Sequence, residues 1–145
     1  PGHNKLSRLL GYRDNNLNRK YSIFVGNGGL YVPQELERGA DGIMTGFAFT
    51  EMLVDLYNLF FNNDKQEAED LFDIYLPLIR HEQQFGIGLG LRKFVLQQRG
   101  IIKSSNVRSP GPVLSEDDIK EMKHLLDRLN SKLIEKGLPI PKGIN

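Results

Sequence analysis

The chain has 145 residues, 39% of them hydrophobic and 26% charged, with 19 Lys plus Arg against 18 Asp plus Glu and a formal net charge of +1. That is enough apolar material for one globular unit with a buried core, and the mixed charges, with no basic stripe carrying interleaved aromatics, argue against nucleic acid as a partner. Cysteine is absent, which removes disulfides, thiolate nucleophiles and Cys-ligated zinc and fits a reducing, cytoplasmic compartment.

Membrane association is not expected, because no apolar run approaches the roughly 20 residues needed to cross a bilayer. The start, Pro1-Gly2-His3-Asn4, has neither a signal-peptide pattern nor a Met, and reads as a chain cut from something longer.

In chain order, Asn4 is positioned to cap a helix carrying Leu6, Leu9 and Leu10, ended by Gly11 and the polar run Asp14 to Lys20. Tyr21 to Val25 is short, aromatic and β-branched, and it enters Gly26-Asn27-Gly28-Gly29, a strand followed by a turn. Leu30 to Arg38 reads as a helix stopped by Gly39, and Asp41 to Thr45 as a second strand ending at Gly46. A helix with Met52, Leu53, Leu56, Leu59 and Phe60 on one face then runs to Asn62-Asn63.

Three helices follow without an intervening strand. Asp64 and Glu67 form a capping-box pattern for the first, whose apolar face is Ala68, Leu71, Phe72, Tyr75, Leu76 and Ile79, with Pro77 expected to kink it. The second is Ile87 to Gln98, and Arg99 to Pro112 is an irregular connector. Ser115 and Asp118 cap the third, which carries Ile119, Met122, Leu126, Leu129 and Leu133; the tail from Pro139 to Asn145 is expected to be loose.

Two strands each followed by a helix imply parallel pairing through a crossover. A two-stranded parallel sheet leaves both edges open, so these strands call for neighbours from elsewhere. Helix, strand, helix, strand, helix is the closing stretch of a (β/α)8 barrel, a fold of about 250 residues. The fold class read here is therefore α/β. Residues 1–62 are the C-terminal part of a barrel, with strands seven and eight; 63–138 are a helical subdomain and 139–145 a tail. Active sites of such barrels form at the C-terminal ends of the strands, which is where Gly26, Asn27, Gly28, Ile43 and Thr45 lie.

These residues carry a resemblance. Phe24-Val25-Gly26-Asn27-Gly28-Gly29, Leu36-Glu37-Arg38-Gly39-Ala40-Asp41-Gly42-Ile43, the 17-residue step from Gly26 to Ile43, and Leu76-Pro77-Leu78 occur in order. Lys93 and, 15 residues on, Arg108-Ser109-Pro110 complete the set. Together they resemble the C-terminal half of the dihydrodipicolinate synthase and N-acetylneuraminate lyase family of pyruvate-dependent class I aldolases and lyases. Gln84-Phe85-Gly86-Ile87 departs from the family's Asn-Pro-x-Pro entry to the next helix.

The resemblance implies a Schiff-base lyase or synthase acting on pyruvate or another 2-keto acid. Its nucleophilic lysine should lie on the strand before residue 1, so neither Lys5 nor Lys20 serves. By the same resemblance Gly26, Asn27 and Gly28 line the far end of the substrate, a side chain at Gly28 would project towards it, Ile43 offers backbone groups near the imine, and Thr45 offers a hydroxyl. No organic or metal cofactor is implied, and a homotetramer is. His3, His81 and His124 show no metal spacing, and Phe85 stands where a zinc-helix motif begun at His81-Glu82 would need its second histidine. Two rival readings stay open: a barrel that binds phosphate with the loops after its last two strands, and a non-catalytic helical interaction domain.

Overall fold

The computed structural model describes residues 3–16 and 21–144. The expectations placed on Pro1, Gly2, residues 17–20 including Lys20, Asn145 and the Asn4 side chain lie outside what is described. The elements are α1 (His3–Asn16), β1 (Phe24–Val25), a 3-10 turn (Asn27–Gly29), α2 (Val32–Glu37), β2 (Gly42–Ile43), α3 (Thr50–Phe61), α4 (Lys65–Glu82), α5 (Gly88–Gln98) and α6 (Glu116–Lys136). Among the described residues the fold is thus mostly helical with two strands.

The strands pair in parallel, Phe24 with Gly42 and Val25 with Ile43. The pairing is pinned at its start by Asp41, whose N–H donates to the Ile23 carbonyl at 2.8 Å while its carboxylate accepts from the Ile23 N–H at 2.7 Å. It is extended at its end by the Met44 N–H, which reaches the Val25 carbonyl at 2.9 Å. Both strands are shorter than the sequence reading gave them, because a ladder needs bonded partners and each strand has one on a single side only.

Side chains alternate across the pair. Val25 is buried and Ile43 packs against the helical core, whereas Phe24 and Met44, on the opposite face, are 51% and 72% exposed. One face of the sheet is therefore covered by helices and the other is bare.

Leu6 and Leu10 bury α1 against α2, but Gly11 does not end the helix. α1 runs on to Asn16, and Arg13 in its last turn donates to Asp41 Oδ2 at 2.6 Å and to the Tyr21 carbonyl at 3.2 Å. A single internal glycine costs a helix about 1 kcal/mol, which such an anchor offsets. α2 ends as expected at Gly39, whose φ of 99° suits glycine.

α4 packs on α3 and on α6 to form the centre of the molecule. Its buried side chains are Ala68, Phe72, Tyr75, Leu78, Ile79 and Glu82; Leu71 and Leu76 are only partly buried, and Pro77 lies inside the helix. The aromatic pairs Phe47–Phe49 and Phe49–Tyr75 both meet at 5.5 Å between ring centres, tying the segment after β2 into this core.

Two further expectations fail for identifiable reasons. Asp64 makes no side-chain cap on α4, because its ψ of 51° is not the extended backbone that aims a capping oxygen at the first turn. Ser115, at ψ 168°, has that backbone and completes a reciprocal capping box with Asp118. The tail is not loose: Pro141 and Ile144 are buried, and Arg99 Nε donates to the Lys142 carbonyl at 3.2 Å. Gly143 crosses so close to α5 that a β-carbon there would lie 2.3 Å from the Arg99 α-carbon.

No helix among the described residues is long and apolar enough to cross a membrane. Replacing the capping serine, Ser115→Ala, is expected to lower stability by about 1 kcal/mol. A shifted denaturation midpoint with unchanged slope would register it.

Candidate functional site

The loops beyond the two strands sit side by side. The register that pairs Val25 with Ile43 carries Gly26 and Met44 one step past the ladder, on neighbouring chains. After Gly26 the backbone enters the left-handed region three times in succession, at Asn27 (φ 48°), Gly28 (φ 64°) and Gly29 (φ 89°). Asparagine and glycine are the residues that take up this conformation most readily, which is why Asn-Gly-Gly can form the turn. The Gly29 N–H closes it on the Gly26 carbonyl at 2.9 Å, and the Leu30 N–H on the Asn27 carbonyl at 3.3 Å. Two N–H groups that a phosphate cradle would draw on are thus spent inside the turn, which weakens the phosphate reading.

Ile43, the last residue of β2, is half-buried, and beyond it Thr45 closes its own turn, its hydroxyl accepting from the Phe47 N–H at 3.0 Å. Thr45 is therefore a strand-end hydrogen-bonder whose O–H remains a donor. Its methyl lies 3.7 Å from where a β-carbon on Gly29 would stand, so the two loops are in contact. Gly26, Asn27, Gly28, Ile43 and Thr45 do come together at one end of the strand pair. Lys5 is exposed on α1, and no three His, Asp or Glu side chains converge among the described residues.

A third element closes on these loops. The corner between α4 and α5 brings Gln83 over Gly28 and Arg92 over Gly46. A β-carbon on Gly28 would lie 1.4 Å from Gln83 Nε2, and one on Gly46 would lie 3.1 Å from Arg92 Nη1. This corrects the expectation that a side chain at Gly28 would project towards substrate: it would strike Gln83.

Beside them, Glu82 is 1% exposed. Its Oε2 accepts from the Ala48 N–H at 3.4 Å and lies 3.5 Å from Arg92 Nε, while Arg92 Nη2 donates to the Glu82 carbonyl at 3.3 Å. Arg99 reaches the same loop from the end of α5, donating to the Ala48 carbonyl and to Glu51, with its guanidinium 4.4 Å above the Phe49 ring.

Burial pushes the Glu82 carboxyl up to about 8, against the opposing pull of Arg92, the Ala48 N–H and Arg99. Burial likewise raises the Tyr75 phenol.

The sequence reading passed over Gln83, Glu82, Arg92 and Arg99. Glu82 had a signal: it falls on the stripe Phe72, Tyr75, Ile79, where a core side chain is due and a carboxylate stands instead. Gln83 had none, since only the tertiary fold brings it to Gly28. The His81 side chain is only 13% exposed, with its Nδ1 3.3 Å from the Gln84 amide nitrogen. Lys93 ties α5 to the connector by donating to the Asn106 carbonyl.

Two predictions follow from this geometry. Glu82 holds its proton to higher pH in the native state than its ordinary value of 4.5 allows in the unfolded chain. Its contribution is therefore complete below pH 4.5 and declines as pH rises towards 8. Glu82→Gln, which stays neutral, should lose less thermal stability than the parent between pH 5 and 8; parallel pH profiles would contradict this. Gly28→Ala should cost about 1–3 kcal/mol through its left-handed backbone and the clash with Gln83. In a Gln83→Ala background part of that cost should disappear, so the two changes are non-additive in a double-mutant cycle.

No family model matches the chain. A solved structure, the dihydrodipicolinate synthase from Rhodopseudomonas palustris, matches at TM-score 0.82 and 46% identity, covering 88% of this chain and 42% of that one. The L-2-keto-3-deoxyarabonate dehydratase of Azospirillum brasilense is 29% identical over 96 residues, 66% of this chain and 31% of the dehydratase. The chain thus spans less than half the length of either relative. The resemblance read from the sequence is met in both: this chain is similar to the C-terminal region of the dihydrodipicolinate synthase family.

Proposed function

We propose, starting from that likeness, that this chain is the C-terminal portion of a (β/α)8 barrel in which β1 and β2 are strands seven and eight. The complete protein is read as a Schiff-base lyase or synthase acting on pyruvate or a related 2-keto acid. The observation that carries this reading is the parallel pair itself, covered by helices on one face and bare on the other. Phe24 and Met44 stand exposed on the bare face, as inward-pointing side chains would where the remaining strands are not present. The loops at the C-terminal ends of the strands are held by the α4–α5 corner, which fits the end of a barrel where active sites form.

In this reading a lysine on the preceding strand, N-terminal to residue 1, attacks the ketone carbon of the substrate. Water is lost and the iminium that results withdraws electrons from the adjacent carbon, so that a bond there can form or break. Gly26, Asn27 and Gly28 border the part of the substrate beyond the keto acid. Ile43 contributes backbone groups close to the imine, and Thr45 contributes its free O–H. The lysine imine supplies the electron sink, so the reading requires neither a metal nor an organic cofactor. Cytoplasmic homotetramers are the expected form, with α5 and the connector after it at a subunit contact. Residues 63–138 act as a helical subdomain and 139–144 as a segment that seals it.

Borohydride reduction in the presence of pyruvate, followed by intact mass and peptide mapping, tests the assignment. The full-length protein should gain one adduct on a lysine N-terminal to residue 1, and residues 1–145 alone should gain none. An adduct on a lysine of this chain, or no adduct with any 2-keto acid, would overturn it.

A further inference from the structure

A cleft of about 630 Å³ opens between α3, α4, the end of α6 and the tail, a size at which proteins take up small molecules. Its walls differ in character. Glu51, Asp55 and Asn58 form one, placed on a single face of α3 by helical spacing. Leu71, Leu133, Leu138 and Ile140 form the other. An apolar wall cannot satisfy a polar one, so the two have no cause to close on each other. The tail is also held in place at both ends. Gly137, at φ 65°, turns the chain so that the Leu138 N–H returns to the Leu133 carbonyl at 2.9 Å, and Arg99 holds the Lys142 carbonyl.

Tyr75 lies between these walls. It is 3% exposed, with its ring edge-on to Phe47 and Phe49, and its hydroxyl makes no hydrogen bond among the described residues. The charges that bear on this phenol are those of Glu51, Arg99 and Asp55, so it faces the acidic side of the cleft. Glu51 is already engaged by Arg99. Asp55 is in no ion pair among the described residues, and no Lys, Arg or His lines the cleft. No three His, Asp or Glu side chains converge among the described residues, so the donor set suits an organic cation rather than a metal ion.

We propose that this cleft binds an alkylammonium compound, its ammonium group donating to the Asp55 carboxylate and the Tyr75 hydroxyl and its chain lying along Leu71, Leu133 and Leu138. An ammonium group brings three donors and a charge to match Asp55, and the aliphatic chain covers the leucines. The site shares no residue with the candidate residues at the strand ends and stands independently of the Schiff-base reading. It adjoins the loop after β2 through Glu51, which Arg99 joins to the Ala48 carbonyl.

Calorimetric titration of the full-length protein with hexylammonium chloride and with 1-hexanol tests this. Hexylammonium should bind, and hexanol at least about tenfold more weakly, the worth of one charged hydrogen bond. Asp55→Asn should weaken hexylammonium about tenfold and leave hexanol unchanged, and Tyr75→Phe, which keeps the ring packing, should weaken hexylammonium about threefold to fivefold. Asp117→Asn, which removes an exposed charge on α6, should change neither by more than about twofold. Absence of hexylammonium binding, equal affinity for the two probes, or equal losses in Asp55→Asn and Asp117→Asn would overturn the assignment. So would a Tyr75→Phe protein that binds as the parent does.

Discussion

The structure turns on a buried loop that has no secondary structure of its own. Phe47, Ala48 and Phe49 follow β2 with 0–3% exposure, yet neither ladder nor helix satisfies their backbone. Buried N–H and C=O groups must find partners, and those of Ala48 find them in two side chains from the helices that follow. Glu82, from the end of α4, takes the N–H, and Arg99, from the end of α5, takes the carbonyl. The loop beyond the sheet is therefore held by the helices that follow it. Cutting those helices away would leave buried polar groups unpaired, at roughly 1–3 kcal/mol for each.

From that clasp the remaining arrangement follows. Arg99, fixed over Phe49, also binds the Lys142 carbonyl, which seats the tail. Glu82, fixed at Ala48, sets Arg92 over Gly46 and presents Gln83 to Gly28. The same few side chains thus join the barrel-like part to the helical part and shape the loops at the strand ends. A chain whose strands need neighbours on their open edges and bare face still has a well-packed helical side. The strand-end loops are consequently formed by the described residues alone.

Much of this was legible in the sequence. The stripes of α3, α4 and α6 gave the helical core, and two short apolar runs before Gly26 and Gly46 gave the parallel pair. Ser115 and Asp118 gave a true capping box. Asp64 and Glu67 have the same spacing and fail, because capping depends on backbone angles that spacing does not determine. Gly11 did not stop α1, since Arg13 reaches a partner 28 residues away at Asp41. The tail was expected to be loose, and its seat depends on Arg99, which the sequence reading left in the irregular connector. The five candidate residues were found by the family resemblance together with their place at the ends of the two strands. The residues that brace them were not, because Gln83 and Arg92 meet those loops only after α4 and α5 have packed.

The central claim is that β1 and β2 belong to a closed barrel with strands outside residues 1–145. Hydrogen exchange of the amides in residues 23–25 and 42–45 tests it most directly, compared between the full-length protein and residues 1–145 alone. In a closed barrel the outer edges of both strands are paired. The account therefore predicts slow exchange in the full-length protein and much faster exchange in the isolated chain, with α4 and α6 protected in both. Equal exchange of the strand amides in the two forms would contradict it.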